Sequence, residues 1–87
     1  MLVRVPGLLL SYTGGHREVA MPPTPTLGAT LEALNARYPG LRFRIVDEQG
    51  NVRPHIKLFV DGALCRDLHA ATDGANELMI VGALSGG

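Results

Sequence analysis

The chain is poor in several things, and each shortage excludes something. It has a single cysteine, Cys65, so no disulfide can form within it. Packing must hold the fold, which suits a reducing cytoplasm. It has no surplus of either charge: eight basic and eight acidic residues cancel. That argues against nucleic acid as a main partner, because phosphate binding requires an excess of Lys and Arg. Arg42, Arg44 and Arg53 are close in sequence, but Asp47 and Glu48 sit among them, and the group reads as a solvated face. It has no long hydrophobic run. The opening "MLVRVPGLLL" is too short to span a bilayer and lacks the charged start and cleavage site of a signal peptide, so no membrane partner is expected. Aromatics are limited to Tyr12, Tyr38, Phe43 and Phe59, which limits the core. There is no internal repeat, no low-complexity tract, and no linker beyond "PPTPT".

What is present is globular. Hydrophobic residues make up 46% and charged residues 18%, a composition that folds rather than stays disordered. The 87 residues are enough for one domain, 1–87, and too few for two. Residues 2–10 are rich in Val and Leu, and Pro6-Gly7 breaks them. Proline cannot donate to a ladder, so the break predicts a bulge or an edge position. Gly14-Gly15 reads as a hairpin turn, with a short returning strand over 16–21. Three prolines, Pro22, Pro23 and Pro25, then carry the chain away.

Thr26 stands as an N-cap before the best helical signal. Leu27, Leu31, Leu34 and Tyr38 fall on one stripe, Glu32, Asn35 and Arg37 are free to face water, and Pro39-Gly40 stops the helix. In residues 41–54 the pattern is ambiguous. Leu41, Phe43 and Ile45 alternate as a strand would, yet Leu41, Ile45 and Val46 equally suit a helical turn. "HIKLFVDG", residues 55–62, is a strand followed by a hairpin turn at Asp61-Gly62. "ALCR" returns as a short edge strand, "DLHAATDGAN" is loop, and "ELMIV", residues 77–81, is the last strand. Its continuous apolar run predicts a central position covered on both faces.

The order hairpin, helix, strand, short strand, strand needs one sheet face to cover the helix. The helix crosses over, so the last strand can lie parallel to the first. The expected fold is therefore α+β: a β-grasp, ubiquitin-like, with a mixed sheet of four to five strands and one main helix. A ferredoxin-like sandwich would need a second helix, and "DLHAATDGAN" is a poor one.

The ending "GALSGG", residues 82–87, is the chemical feature. A central last strand would project it from the fold as a flexible tail. At about 3.3 Å per residue the six residues from Gly82 reach roughly 20 Å. Glycine lacks a side chain, so such a tail can thread a narrow channel and adopt backbone angles closed to other residues. A carboxylate is a poor acyl electrophile. Converting it to an acyl adenylate supplies a leaving group that a sulfur nucleophile can displace, and bulk at Gly86 or Gly87 would hinder both steps.

The chain resembles the ubiquitin-like sulfur carriers of the MoaD, ThiS and CysO type over essentially all of its length. The resemblance rests on "TGG" at 13–15, "TLGATLEAL" at 26–34, "RYPGL" at 37–41, "RPHIKLFVDG" at 53–62 and the terminal "GG". The stretch "VPGLLLSYTGG" is most similar to the CysO branch. Gly82, Leu84 and Ser85 depart from that family's common Pro-Ala-Val-Ala-Gly-Gly ending.

The resemblance implies a protein co-substrate rather than an enzyme, binding no cofactor itself. An E1-like adenylyltransferase and sulfurtransferase would activate Gly87 with ATP and leave a thiocarboxylate. The acceptor would be a PLP-dependent cysteine synthase, with a zinc metalloprotease releasing the product. A molybdopterin synthase large subunit is the alternative partner, a ubiquitin-like protein modifier a further reading, and a plain interaction module the blandest. Ala83, Leu84, Ser85 and Gly86 would form the threading tail, with Leu84 anchoring it. Phe59, opposite Ile56, Leu58 and Val60 on a regular strand, is the candidate for a partner-binding patch on the sheet.

The remaining residues have plainer readings. Cys65 beside Arg66 is a small apolar residue before it is a persulfide carrier. His16, His55 and His69 lie on different elements and read as surface histidines, not as a metal set. Neither Ser11 nor Ser85 has an orienting pair for nucleophilic catalysis, and "TGGH" and "DEQGN" lack the spacing of a phosphate loop.

Overall fold

The computed structural model describes residues 1–82. Its elements run β1 (Leu2–Arg4), a 3-10 helix (Gly7–Tyr12), β2 (Glu18–Ala20), α1 (Leu27–Arg37), α2 (Leu41–Ile45), β3 (Ile56–Val60), β4 (Ala63–Leu64) and β5 (Glu77–Gly82). The five strands form one sheet in the order β2-β1-β5-β3-β4. β5 pairs in parallel with β1 and antiparallel with β3. The last strand is therefore central, and the architecture is the β-grasp expected.

The first residues depart from expectation. The strand ends at Arg4, and residues 7–12 wind into a 3-10 helix. Pro6 has φ −75°, already suited to a turn, and its carbonyl accepts from Leu9 N at 3.0 Å. An i→i+3 bond satisfies Leu9 locally, with no ladder partner needed. Leu9 points into the core, and Leu8 is left exposed. β1 lies between β2 and β5, so it is neither an edge strand nor a bulge site.

α1 forms as read. Thr26 Oγ1 accepts from Ala29 N at 3.1 Å, and Leu27, Leu31 and Leu34 are buried. Asn35 does not simply face water. Its Oδ1 accepts from Gly40 N and Arg42 N, which ties the end of α1 to the start of α2. Gly40 makes that turn at φ 95°, open to glycine and costly for other residues. The ambiguous segment is thus resolved as helix: Leu41 and Ile45, four apart, are buried, while Phe43 stands out at 52% exposure.

The turn after β3 places Asp61 at φ 48° and Gly62 at φ 85°, the two left-handed positions of a two-residue hairpin loop. Asp61 Oδ1 also accepts from Asn76 N and Glu77 N, both at 2.9 Å, fixing where β5 begins. A second tie holds the loop before β5 against the helix. Thr24 Oγ1 lies within hydrogen-bonding distance of Thr30 Oγ1 and Thr72 Oγ1, and Thr72 Oγ1 donates to Thr24 O at 2.8 Å.

One sheet face carries the core. Val3, Val19, Ile56, Leu58, Leu78 and Ile80 pack with Leu27, Leu31, Leu34, Leu41 and Ile45 in one buried cluster. The other face is open. β5 alternates between buried Leu78 and Ile80 and less covered Glu77, Met79 and Val81. The expectation of a doubly covered strand is therefore corrected. Its continuous apolar run reflects Met79 and Val81 on the face that no helix covers. No helix among the described residues is long and apolar enough to cross a membrane.

Replacing Leu31, fully buried, with Ala should cost about 2–5 kcal/mol in urea unfolding, because the helix stripe would then leave a cavity over the sheet. Thr26→Ala should cost about 1 kcal/mol by the same measurement, through loss of the cap alone.

Candidate functional site

The site is built around the end of β5, the strand that leads to the C-terminal residues. Gly82 still belongs to that strand and pairs with Ile56 on β3. It had been expected as the first tail residue. The residues read as the chemical site, Gly87 with Gly86, Ser85, Leu84 and Ala83, lie outside the described residues.

Register fixes what surrounds the strand end. Gly82 and Ile56 share the face that bears the helices, and Val81 and Lys57 share the open one. On the helix-bearing side, Leu8 lies across Gly82. A Cβ built on Gly82 would fall 2.9 Å from Leu8 Cδ2 and 3.6 Å from Leu8 Cβ. The glycine thus lets the 3-10 helix close against the strand. Leu8 was not singled out from the sequence. The available signal was "GLLL": three consecutive leucines after Pro-Gly cannot all enter one small core.

On the open face a single row crosses the sheet. Glu18, Arg4, Met79, Phe59 and Leu64 are successive cross-strand partners. The row is ionic at one end and apolar at the other. Arg4 donates through Nε to Glu77 at 2.6 Å and through Nη1 to Glu18 at 2.7 Å. The bond to Glu77, its charge and that of Glu18 raise the guanidinium's pKa above its ordinary value. Phe59 is half-buried beside Met79, with exposed Leu64 on its other flank. Its expected orientation, away from Ile56 and Leu58, is the observed one.

The other singled-out residues do not join this site. Cys65 follows β4, half-buried, with Sγ directed at Asp67 O at 3.6 Å. Arg66 does not attend the thiol. Its guanidinium donates to Ile56 O at 3.2 Å and Val52 O at 2.7 Å, joining two segments through their carbonyls. His16 follows the 3-10 helix, His55 precedes β3, and His69 lies in the loop before β5. Among the described residues no three His, Cys, Asp or Glu side chains gather as a metal site would require.

The arginines of the expected solvated face have specific partners. Arg42 Nε lies 2.9 Å from Glu32 Oε1, Arg44 sits over the Tyr12 ring, and Arg53 stacks 4.6 Å from the Phe43 centroid. A groove of about 660 Å³ opens between the start of α1, the 49–51 turn and residues 66–69. The first amides of α1 are all engaged there: Leu27 N donates to Ala70 O, Gly28 N to Leu68 O and Ala29 N to Thr26 Oγ1. The helix terminus therefore has no free donor for an anion.

No family model and no curated protein matches the chain. Solved structures do. Mycobacterium tuberculosis CysO, described as an antigen, superposes with a TM-score of 0.86 at 27% identity, over 95% of this chain and 98% of that one. A chain of the Amycolatopsis orientalis BexX/CysO complex gives 0.86 at 25% identity, over 99% and 98%. SAMP1 from Haloferax volcanii gives 0.78 at 28% identity, over 100% and 98%. The likeness spans whole chains on both sides, with no large insertion in either. By fold, this chain resembles the ubiquitin-like sulfur carriers, the CysO proteins among them.

Proposed function

We propose that this protein is a sulfur carrier whose C-terminal Gly87 carboxylate is adenylated and then converted to a thiocarboxylate. The observation that carries the reading is the central β5. It runs parallel to β1 in the middle of the sheet and is the last element before Gly86-Gly87 in the sequence, in a fold that matches CysO over 95% of this chain. In the first step a carboxylate oxygen of Gly87 attacks the α-phosphorus of ATP and pyrophosphate leaves. In the second, a sulfur nucleophile attacks the acyl carbon and AMP leaves with the bridging oxygen. With hydrosulfide as the nucleophile the product is the thiocarboxylate itself. With an enzyme persulfide it is an acyl disulfide, and a second thiol attacks the donor's sulfur, breaks the S–S bond and releases the thiocarboxylate while the two thiol sulfurs become a disulfide. An E1-like enzyme supplies the catalytic groups, and the carrier supplies an unhindered acyl end.

The product is a nucleophilic, protected form of sulfide. We assign its use to cysteine biosynthesis with a PLP-dependent cysteine synthase, because the early stretch "VPGLLLSYTGG" and the structural likeness both point to CysO proteins. The cofactors ATP, PLP and zinc belong to partner enzymes. A CysO protein stands in a complex with BexX, which supports docking onto a second protein as the working mode. A second reading is favoured by the likeness to SAMP1, named a small archaeal modifier protein. In that reading the same activated Gly87 acylates lysines of other proteins, and peptides from those proteins would carry an isopeptide-linked C-terminal fragment of this chain, running from Asp67 to Gly87 after trypsin.

Intact mass spectrometry after incubation with ATP, an E1-like enzyme and a sulfur donor tests the first reading. The expected result is replacement of one oxygen by sulfur, confined to the C-terminal peptide. A variant with one alanine added after Gly87 should gain nothing while melting as the native protein does. Sulfur uptake by that variant would defeat the proposal. Phe59→Ser should raise the KM of activation by about tenfold, as loss of one central apolar contact does, with circular dichroism unchanged.

A further inference from the structure

Only four large hydrophobic side chains stand exposed among the described residues: Leu8, Phe43, Leu64 and Val81. Two of them, Leu8 and Val81, flank the end of β5. They lie on opposite sides of the sheet: Leu8 covers Gly82 on the helix-bearing side, and Val81 faces out on the open side opposite Lys57. Lys57 is the only lysine in the chain and is exposed. The strand end is therefore bordered by two uncovered apolar side chains and one cation.

We propose that Leu8, Val81 and Lys57 form a collar that seats the rim of the activating enzyme's tail channel. This inference rests on the reading of Gly87 as the activated residue. The argument is one of reach. From Gly82 to Gly87 the chain extends at most about 17 Å, at roughly 3.4 Å per residue. An enzyme that draws the carboxylate to a buried adenylation centre must bring its channel mouth against the end of β5. The mouth meets Leu8 on one side and Val81 on the other.

Leu8 is 42% exposed and gains from being covered by an apolar wall. Lys57 calls for a carboxylate on the same rim, beside Val81. Docking on the open sheet face alone would leave Leu8 in water. Gripping both sides of the strand fixes the direction in which the tail enters. The partner surface is accordingly an apolar ring with one acidic residue, and Leu8 is its specificity determinant on the carrier.

The test is steady-state activation, read as ATP-dependent pyrophosphate release with an E1-like enzyme. Leu8→Asp should raise KM by about tenfold, with kcat within about twofold, and Leu8→Met should restore the native value. Lys57→Glu, at an exposed site where folding is not at stake, should raise KM severalfold, most strongly at low salt. A purely structural role for Leu8 would lower the melting temperature and leave KM unchanged for the folded fraction. If Leu8→Asp melts below the assay temperature, Leu8→Ser and Lys57→Glu decide the matter. Native KM in folded Leu8 variants and in Lys57→Glu overturns the collar while the carrier reading stands. Failure of the native protein to be activated, with the enzyme shown to work on another carrier, overturns both.

Discussion

The parallel pairing of β1 with β5 is the constraint on which the rest of the structure depends. Val3 faces Leu78, and both are fully buried, so residues far apart in the chain form the centre of the sheet. A parallel pair cannot be closed by a tight turn. The chain between the two strands must therefore cross one face of the sheet, and it does so between β2 and β3. α1 makes that crossing and brings its leucine stripe onto the strands it has bypassed. The hairpins at either edge then attach to a centre already defined. Because β5 is internal, it is paired on both sides where it begins, with β1 over Glu77–Met79 and with β3 over Leu78–Gly82, and the β3 pairing carries it to its end.

Much of this could be read from the residues, and the reason is local. α1 was legible because Thr26, the leucine spacing and Pro39-Gly40 all point to one helix. The Asp61-Gly62 turn was legible because a two-residue loop requires two left-handed residues, and few pairs supply them. Other segments were not legible, because their patterns fit two structures equally. "VPGLLL" has the composition of a strand, and i→i+3 bonds such as Leu9 N to Pro6 O and Thr13 N to Leu10 O close it into a 3-10 helix instead. Leu41, Phe43 and Ile45 alternate, yet Asn35, from the preceding helix, decides for α2. The exposure of Met79 and Val81 depends on which face the helices cover, and that is a tertiary fact with no local signature.

The candidate site divides in the same way. The terminal glycines carry a chemical argument that needs no coordinates, because acyl activation requires an unhindered end. The surroundings of the strand end needed the fold. The outward face of Phe59 was legible from the period of its strand. Leu8 was not, because its importance comes from contact with Gly82, far away in sequence. Arg66 and Arg4 were not legible either. One joins two backbone carbonyls and the other two carboxylates, and a neutral overall charge conceals such pairings.

Asp61 has an effect beyond its own hairpin. It grips the start of β5 with its carboxylate while its backbone turns the chain out of β3, so residues 62–75 form a lobe closed at its base by one residue. That lobe touches α1 mainly through main-chain bonds, from Leu27 N to Ala70 O and from Gly28 N to Leu68 O, which make few demands on side-chain identity. Two side chains of the lobe do bind specifically: Thr72 to Thr24, just ahead of the helix, and Arg66 to the carbonyls of Val52 and Ile56. The lobe's exposed side chains outside those two, His69 and Asp73 among them, can therefore be exchanged without shifting the strand beside it.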